Sequence, residues 1–205
     1  MTAHAATLYE TLIGLGAFTF VGSITPGPNN LMLMTSGTNF GFRRSIPHIL
    51  GVGIGFALMV ALVGLGLAEL FRLYPVAQQI LKWVSVAYLC YLAWKIATAK
   101  PPSPETLKAG ARPLTFLQAA SFQWVNPKAW TMALTALSAY LPPINPYLGL
   151  ILVAGLVGVI NIPCITCWNL LGVQLRRFLG DPVKLRVFNI GMALLLLASL
   201  YPTLR

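Results

Sequence analysis

Asn126-Pro127-Lys128 sets a single positive charge inside a long apolar stretch. A helix beginning at Leu114 climbs about 21 Å by Lys128, close to the middle of a bilayer. A charge at that depth costs at least about 2.5 kcal/mol on insertion scales, so a working role is the first hypothesis. Asn126 reads as an N-cap and Pro127 as the first residue of a half-helix. The N–H groups and positive dipole end of such a helix start suit a carboxylate. Lys128 would then pair that carboxylate or change protonation during the working cycle. The competing reading shifts the span so that Lys128 snorkels to a surface, and the apolar residues on both sides speak against it.

Thr25-Pro26-Gly27-Pro28-Asn29-Asn30 marks a second break, about a hundred residues earlier. Pro26 and Pro28 lack N–H groups and crowd the carbonyls of Gly22 and Ile24, while Gly27 loosens the backbone between them. Backbone opened in this way is tolerated in a membrane only when buried in protein or lining a wet cavity. Thr25, Asn29 or Asn30 is expected to cap the helix that resumes. The freed carbonyls of Gly22, Ile24 and Gln123 are candidates to receive an ammonium. The alternative is a turn at the membrane surface, since P-G dipeptides are common turn markers. Gln123 and Asn161, polar residues within apolar blocks, complete the candidate substrate site. Interhelical hydrogen bonding is the plainer account of both, and of Asn169.

Cys164-Ile-Thr-Cys167 follows Pro163 at a spacing that in soluble folds carries redox chemistry. A membrane thiol–disulfide relay is therefore the rival function. Such a relay is expected to place one reactive cysteine in each half, and the first half offers only Cys90, so core packing is the simpler role. His4 and His48 have no ligand partners at metal-binding spacing. No metal, cofactor or catalytic constellation is expected, and His48 reads as structural.

The elements that must hold these residues are membrane spans. Only 9% of the residues are charged against 57% hydrophobic, too few to cover a water-facing globule. The apolar residues run in blocks near the 20 residues that cross a bilayer. Six spans are expected: Leu8–Thr25, Ile46–Leu70, Val76–Thr98, Leu114–Tyr140, Tyr147–Val173 and Lys184–Tyr201, with Asn29–Asn39 prolonging the first beyond its break. The start, MTAHAATLYE, lacks the basic residues and cleavage site of a signal peptide, so the first span is expected to stay.

The formal net charge is +10. The basic residues lie mostly between apolar blocks, where they set topology and anchor the chain to anionic lipid headgroups rather than to nucleic acid. Arg43, Arg44, Lys95, Lys100, Lys108, Arg112, Arg176, Arg177, Lys184 and Arg186 lie by the loops after spans one, three and five. Arg72, Lys82 and Arg205 lie on the other side. This places the basic loops in the cytoplasm and both termini outside.

The two halves of the chain repeat. Pro26 matches Pro127, Pro47 matches Pro146, and Pro75 matches Pro182, each pair about a hundred residues apart. Three spans per half forces the second half to enter upside down, the inverted-repeat plan of many secondary transporters. The expected fold is all-α, a polytopic membrane protein with six transmembrane helices as two inverted three-helix repeats and broken helices one and four. It forms one transporter domain over residues 1–205. Repeat one covers about 1–98, a cytoplasmic linker about 99–113, and repeat two about 114–205. Gly51 and Gly55 allow close helix packing or the seam of a homodimer.

Thr25–Asn30 with the Gly41-Phe42-Arg43 turn, and Asn126-Pro127-Lys128-Ala129, resemble the signatures of the LysE/RhtB amino-acid exporter family. Tyr88-Leu-Cys-Tyr-Leu-Ala-Trp-Lys95 and Thr135-Ala-Leu-Ser138 extend the likeness over nearly the whole chain. The resemblance implies a six-span efflux permease of the bacterial inner membrane. It would move amino acids or close derivatives and be driven by a proton or other ion gradient. The branch that exports neutral amino acids, cysteine and O-acetylserine among them, is the most similar. No acidic residue stands at mid-membrane to meet a cationic side chain, and Glu10 and Glu69 lie toward span ends.

Overall fold

The structure, a computed structural model, describes residues 2–67, 73–99, 112–179 and 181–201. Eight α-helices are found among the described residues. They are α1 (Thr2–Ile24), α2 (Pro28–Phe40), α3 (Phe42–Leu62), α4 (Pro75–Ala97), α5 (Phe116–Phe122), α6 (Pro127–Tyr140), α7 (Pro146–Phe178) and α8 (Pro182–Ala198). Most of the expected linker at 99–113, together with Arg72, Lys100, Lys108, Arg205 and Glu69, lies outside the described residues.

Proline begins five of these helices, at Pro28, Pro75, Pro127, Pro146 and Pro182. That position needs no N–H and suits the fixed proline φ. This corrects part of the expected repeat. Pro28, not Pro26, shares with Pro127 the role of opening a half-helix. Pro75 and Pro182 each open a helix. Pro47 lies within α3 whereas Pro146 opens α7, so that pair is not equivalent.

Among the described residues, three helical segments are long and apolar enough to cross a membrane alone: Phe42–Gly66, Gln79–Ala97 and Pro146–Phe178. The first takes in most of a π-turn after α3, Val63–Leu67, which is kinked at Gly66, where φ is 115°. α1 and α2 pass as a pair, bent by 53° at residues 25–27. α5 and α6 are separated by a 3₁₀ turn, Gln123–Val125, and α8 has 17 residues. α7 extends past the expected end of span five, which puts Arg176 and Arg177 in its last turn, where cations favour the dipole.

The helices are arranged polar-in and apolar-out. Large apolar side chains such as Phe20, Leu58, Trp83, Trp94, Ile151, Val159 and Leu194 face outward, while Ser23, Asn30, Thr38, Asn39, Gln123, Asn126, Asn161, Asn169 and Asn189 are buried. Water would reward the reverse, whereas lipid accepts this arrangement. Inside, Leu15, Phe56, Met59, Met132, Val153 and Val157 join α1, α3, α6 and α7. Leu31, Met32, Leu89, Leu92, Phe122, Met192 and Leu196 join α2, α4, α5 and α8. The broken first helix thus passes from one cluster to the other at its break.

Glycines permit the closest crossings. A Cβ at Gly37 on α2 would strike the Asn169 carbonyl of α7, and one at Gly172 on α7 would strike the Met34 carbonyl of α2. Gly51 and Gly55 are used in the same way inside the protein, against Phe116 and Ala120 of α5. Of the two expected uses of that glycine pair, close internal packing is the one observed.

Candidate functional site

α1 stops at Ile24 because Pro26 and Pro28 withhold the next N–H groups, and the carbonyls of its last turn need other donors. Nearly all are found locally. Thr25 N–H donates to Val21 O at 3.2 Å and the Thr25 hydroxyl to Gly22 O at 3.1 Å. The Asn30 amide donates to Ser23 O at 2.8 Å and Thr25 O at 2.7 Å, and Trp168 Nε1 to Ile24 O at 2.9 Å. The expected ammonium acceptors at Gly22 and Ile24 are therefore already occupied, and Gln123 O accepts from Asn126 N–H.

The expected cap of α2 is also corrected. Its N-cap is Gly27, in extended conformation, and no side chain caps it. Asn29 and Asn30 point elsewhere: Asn30 back to α1, Asn29 across to Gln123. By contrast, Asn126 caps α6 as expected, its Oδ1 accepting from Lys128 N–H at 3.1 Å. The first N–H of α6 is thereby taken, so the uncapped helix start in this region belongs to α2.

The two breaks meet. Asn29 Nδ2 donates to Gln123 Oε1 at 2.9 Å, and Gln123 Nε2 donates to Asn29 Oδ1 at 3.2 Å. The Gln123 amide also donates to Ala119 O at 2.9 Å, which fixes its orientation. From the other side, the Lys128 ammonium donates to Thr25 O at 2.8 Å, Thr25 Oγ1 at 3.0 Å and Pro26 O at 3.2 Å. Thr25 and Pro26 are exposed, Lys128 is half-buried, and Gln123, Asn126 and Asn161 are buried.

A cavity of about 20 Å³ lies between these groups, room for about one water. Gly27, Asn29, Asn30, Gln123, Asn126, Lys128 and Asn161 line it. Thr25, Pro26, Pro28 and Pro127 do not; they shape the breaks that hold the others. Asn161 Nδ2 donates to Ser23 Oγ at 2.9 Å, and its buried Oδ1 has no partner. One wall is apolar: Phe56 from α3, Ala129 and Met132 from α6, Ile165 from α7.

Sequence reasoning missed that wall and also Ser23 and Trp168. Ser23 stands one turn before Pro26, the one placement from which it was readable; the apolar residues look like any others in a span. Asn169 lies outside the cavity and ties α7 to Leu33 O of α2 at 2.9 Å. His48 is buried in α3 away from the cavity, with no partner for either ring nitrogen. Cys164 is buried, Cys167 and Cys90 are exposed, and all three are free thiols. No group of three or more His, Cys, Asp or Glu able to hold a metal occurs among the described residues.

Residues 20–199 match the family described as LysE type translocator. The chain is 35% identical over 182 residues to a cysteine/O-acetylserine efflux protein of Escherichia coli, covering 88% of this chain and 90% of that one. Proteins of the same description from Shigella sonnei and Shigella flexneri are each 35% identical over 181 residues, covering 87% of this chain and 90% of theirs. No solved structure matches.

Proposed function

We propose that this chain, which belongs to the LysE type translocator family, is a secondary-active permease that exports a small neutral amino acid or derivative across the bacterial inner membrane. Cysteine and O-acetylserine, the compounds in the names of its relatives, are the first substrates to try. The observation that carries the reading is the meeting of two helix breaks on one polar cavity, joined by the Asn29–Gln123 amide pair. Breaks of this kind are where membrane transporters bind substrate.

The substrate's carboxylate goes to the uncapped start of α2, where N–H groups and the dipole favour an anion. Its ammonium goes to the unpartnered Asn161 Oδ1, beside Ser23. The short apolar wall of Phe56, Met132 and Ile165 takes a small uncharged side chain. Because the cavity holds about one water, the breaks must part to admit an amino acid, which is the movement alternating access requires.

In this reading the chain has six spans as two inverted repeats within one domain, with α1–α2 and α5–α6 each a broken span. A proton or other ion gradient drives export, and the protein needs no catalytic residue. The basic α2–α3 turn and the basic end of α7 are neighbours, since a Cβ at Gly41 would lie 3.8 Å from Arg176 Nη1. Grouping these charges on one face supports placing them in the cytoplasm, with both termini outside. Any homodimer would use a face other than the Gly51/Gly55 seam.

The test is counterflow in proteoliposomes against a panel of amino acids that includes cysteine and O-acetylserine. Exchange of a neutral member, with lysine and arginine left behind, is expected. Failure to exchange any of them, in vesicles that retain folded protein, would remove the exporter reading.

A further inference from the structure

The Lys128 ammonium has three N–H donors and three acceptors: Thr25 O, Thr25 Oγ1 and Pro26 O. All three are uncharged oxygens of another helix break, a hundred residues away in the chain. Two of the three are held in place without the lysine. Thr25 Oγ1 is fixed by its own donation to Gly22 O, and Thr25 O by the Asn30 amide. Both carbonyls lie just past the C-terminal end of α1, where the helix dipole is negative. The lysine reaches them across Gly27, where a Cβ would meet Lys128 Cδ at 2.7 Å. An oxygen cage, a dipole end and a glycine gap together receive one cation.

We propose that Thr25 O, Thr25 Oγ1 and Pro26 O form a binding site for a monovalent cation of ammonium type, and that Lys128 fills it as a tethered cation. Three uncharged oxygens fall short of the six to eight oxygen ligands that calcium takes and the octahedral set that magnesium demands, so the cage suits a monovalent cation better than a small divalent one. With the lysine in place a second cation is excluded by like charge at close range. The lysine thus latches α6 to the end of α1. Cutting the side chain back opens the cage to dissolved alkylammonium. The effect on transport rests on the exporter reading above; the binding itself does not.

The experiment uses the full chain in detergent, comparing the parent with Lys128→Ala in methylammonium chloride and in choline chloride at equal ionic strength. Choline carries the same charge but is too bulky for the cage and has no N–H. A ligand that binds only the folded state raises the unfolding midpoint. The variant is expected to gain about 4 °C or more in saturating methylammonium, with no such gain in choline and none for the parent. Counterflow by Lys128→Ala should be slow and partly restored by methylammonium. No selective gain in the variant, or an equal gain in the parent, overturns the proposal.

The two readings fail separately. Methylammonium binding by the variant with no counterflow by the parent leaves the cage and removes the exporter. Counterflow by the parent with no binding by the variant does the reverse. Should Lys128→Ala not fold, reductive methylation followed by peptide mass spectrometry answers the question. Lys128 is expected to be methylated several-fold more slowly in the parent than in Thr25→Val, which lacks one cage oxygen. Equal rates overturn the cage.

Discussion

The Asn29–Gln123 pair makes a prediction whose size and asymmetry both come from the structure. Gln123 is fully buried and Asn29 half-buried beside the cavity. Asn29→Ala strands the Gln123 carbonyl oxygen and one amide hydrogen where water has little access, a loss of about 1–3 kcal/mol. Gln123→Ala strands the Asn29 amide instead, but beside a cavity enlarged by the missing side chain, so water can replace part of the loss. Its cost should be smaller on that account, about 1–2 kcal/mol. Hydrogen bonds between membrane helices average about 0.6 kcal/mol in double-mutant cycles, so two reciprocal bonds imply a coupling of about 1 kcal/mol. The assay is equilibrium unfolding by SDS in mixed micelles for the parent, both single variants and the double. A coupling below about 0.3 kcal/mol, within ordinary additivity, would refute the pairing. Asn29→Leu/Gln123→Met separates fold from function, because replacing both partners by apolar groups is nearly neutral for stability. It should unfold close to the parent and show no counterflow. Normal transport by that double variant would remove the polar breaks from the mechanism.

Replacing Cys164 and Cys167 together by Ser should leave counterflow intact; loss of transport with normal insertion would restore the thiol relay. Gly37→Ala and Gly172→Ala each press a Cβ onto a backbone carbonyl that cannot step aside, and each should cost about 1–3 kcal/mol in the same unfolding assay. A negligible cost in both would mean that α2 and α7 do not cross this closely. Alkaline phosphatase fused after Arg205 should be active under the proposed orientation with both termini outside, and activity of only a cytoplasmic reporter there would reverse that orientation.

Both helix breaks were legible because proline chemistry is local. Pro127 and its cap Asn126 were readable to the residue, since the cap needs only its own side chain and an N–H two residues on. The break at 25–27 was equally plain, but the fate of Thr25, Asn29 and Asn30 was not. Each prefers a helix cap in isolation, and each instead satisfies a group brought close by the fold: an α1 carbonyl, Gln123, or the lysine. The matching of Pro26 to Pro127 failed for a related reason. Spacing alone cannot separate a proline within a break from the proline that opens the next helix. The apolar wall of the cavity was invisible, because Phe56 and Met132 differ from lipid-facing neighbours only in orientation, which the long apolar runs of a membrane span do not encode.

If the cavity is the proposed substrate site, it is held shut by bonds between the breaks whose loss a substrate must offset. Two amide bonds at about 0.6 kcal/mol each and one charged set at about 1.5–3 kcal/mol make parting the breaks cost about 3–4 kcal/mol. A conformation that far above the closed one is populated below about 1%. A ligand shifts such an equilibrium only by binding the open form more tightly. A zwitterion can do so, because it carries one group for each kind of partner released or left waiting: an anion for the uncapped start of α2, and an ammonium for Asn161 Oδ1. A molecule with only one of these charges would recover part of the cost and leave the breaks mostly closed. Discrimination between amino acids and their deaminated or decarboxylated analogues would thus arise from opening itself, before the side chain reaches the apolar wall. In the counterflow panel, propionate and ethylamine should each compete far more weakly than alanine. Equal competition by either one would show that its missing partner has no share in opening the site.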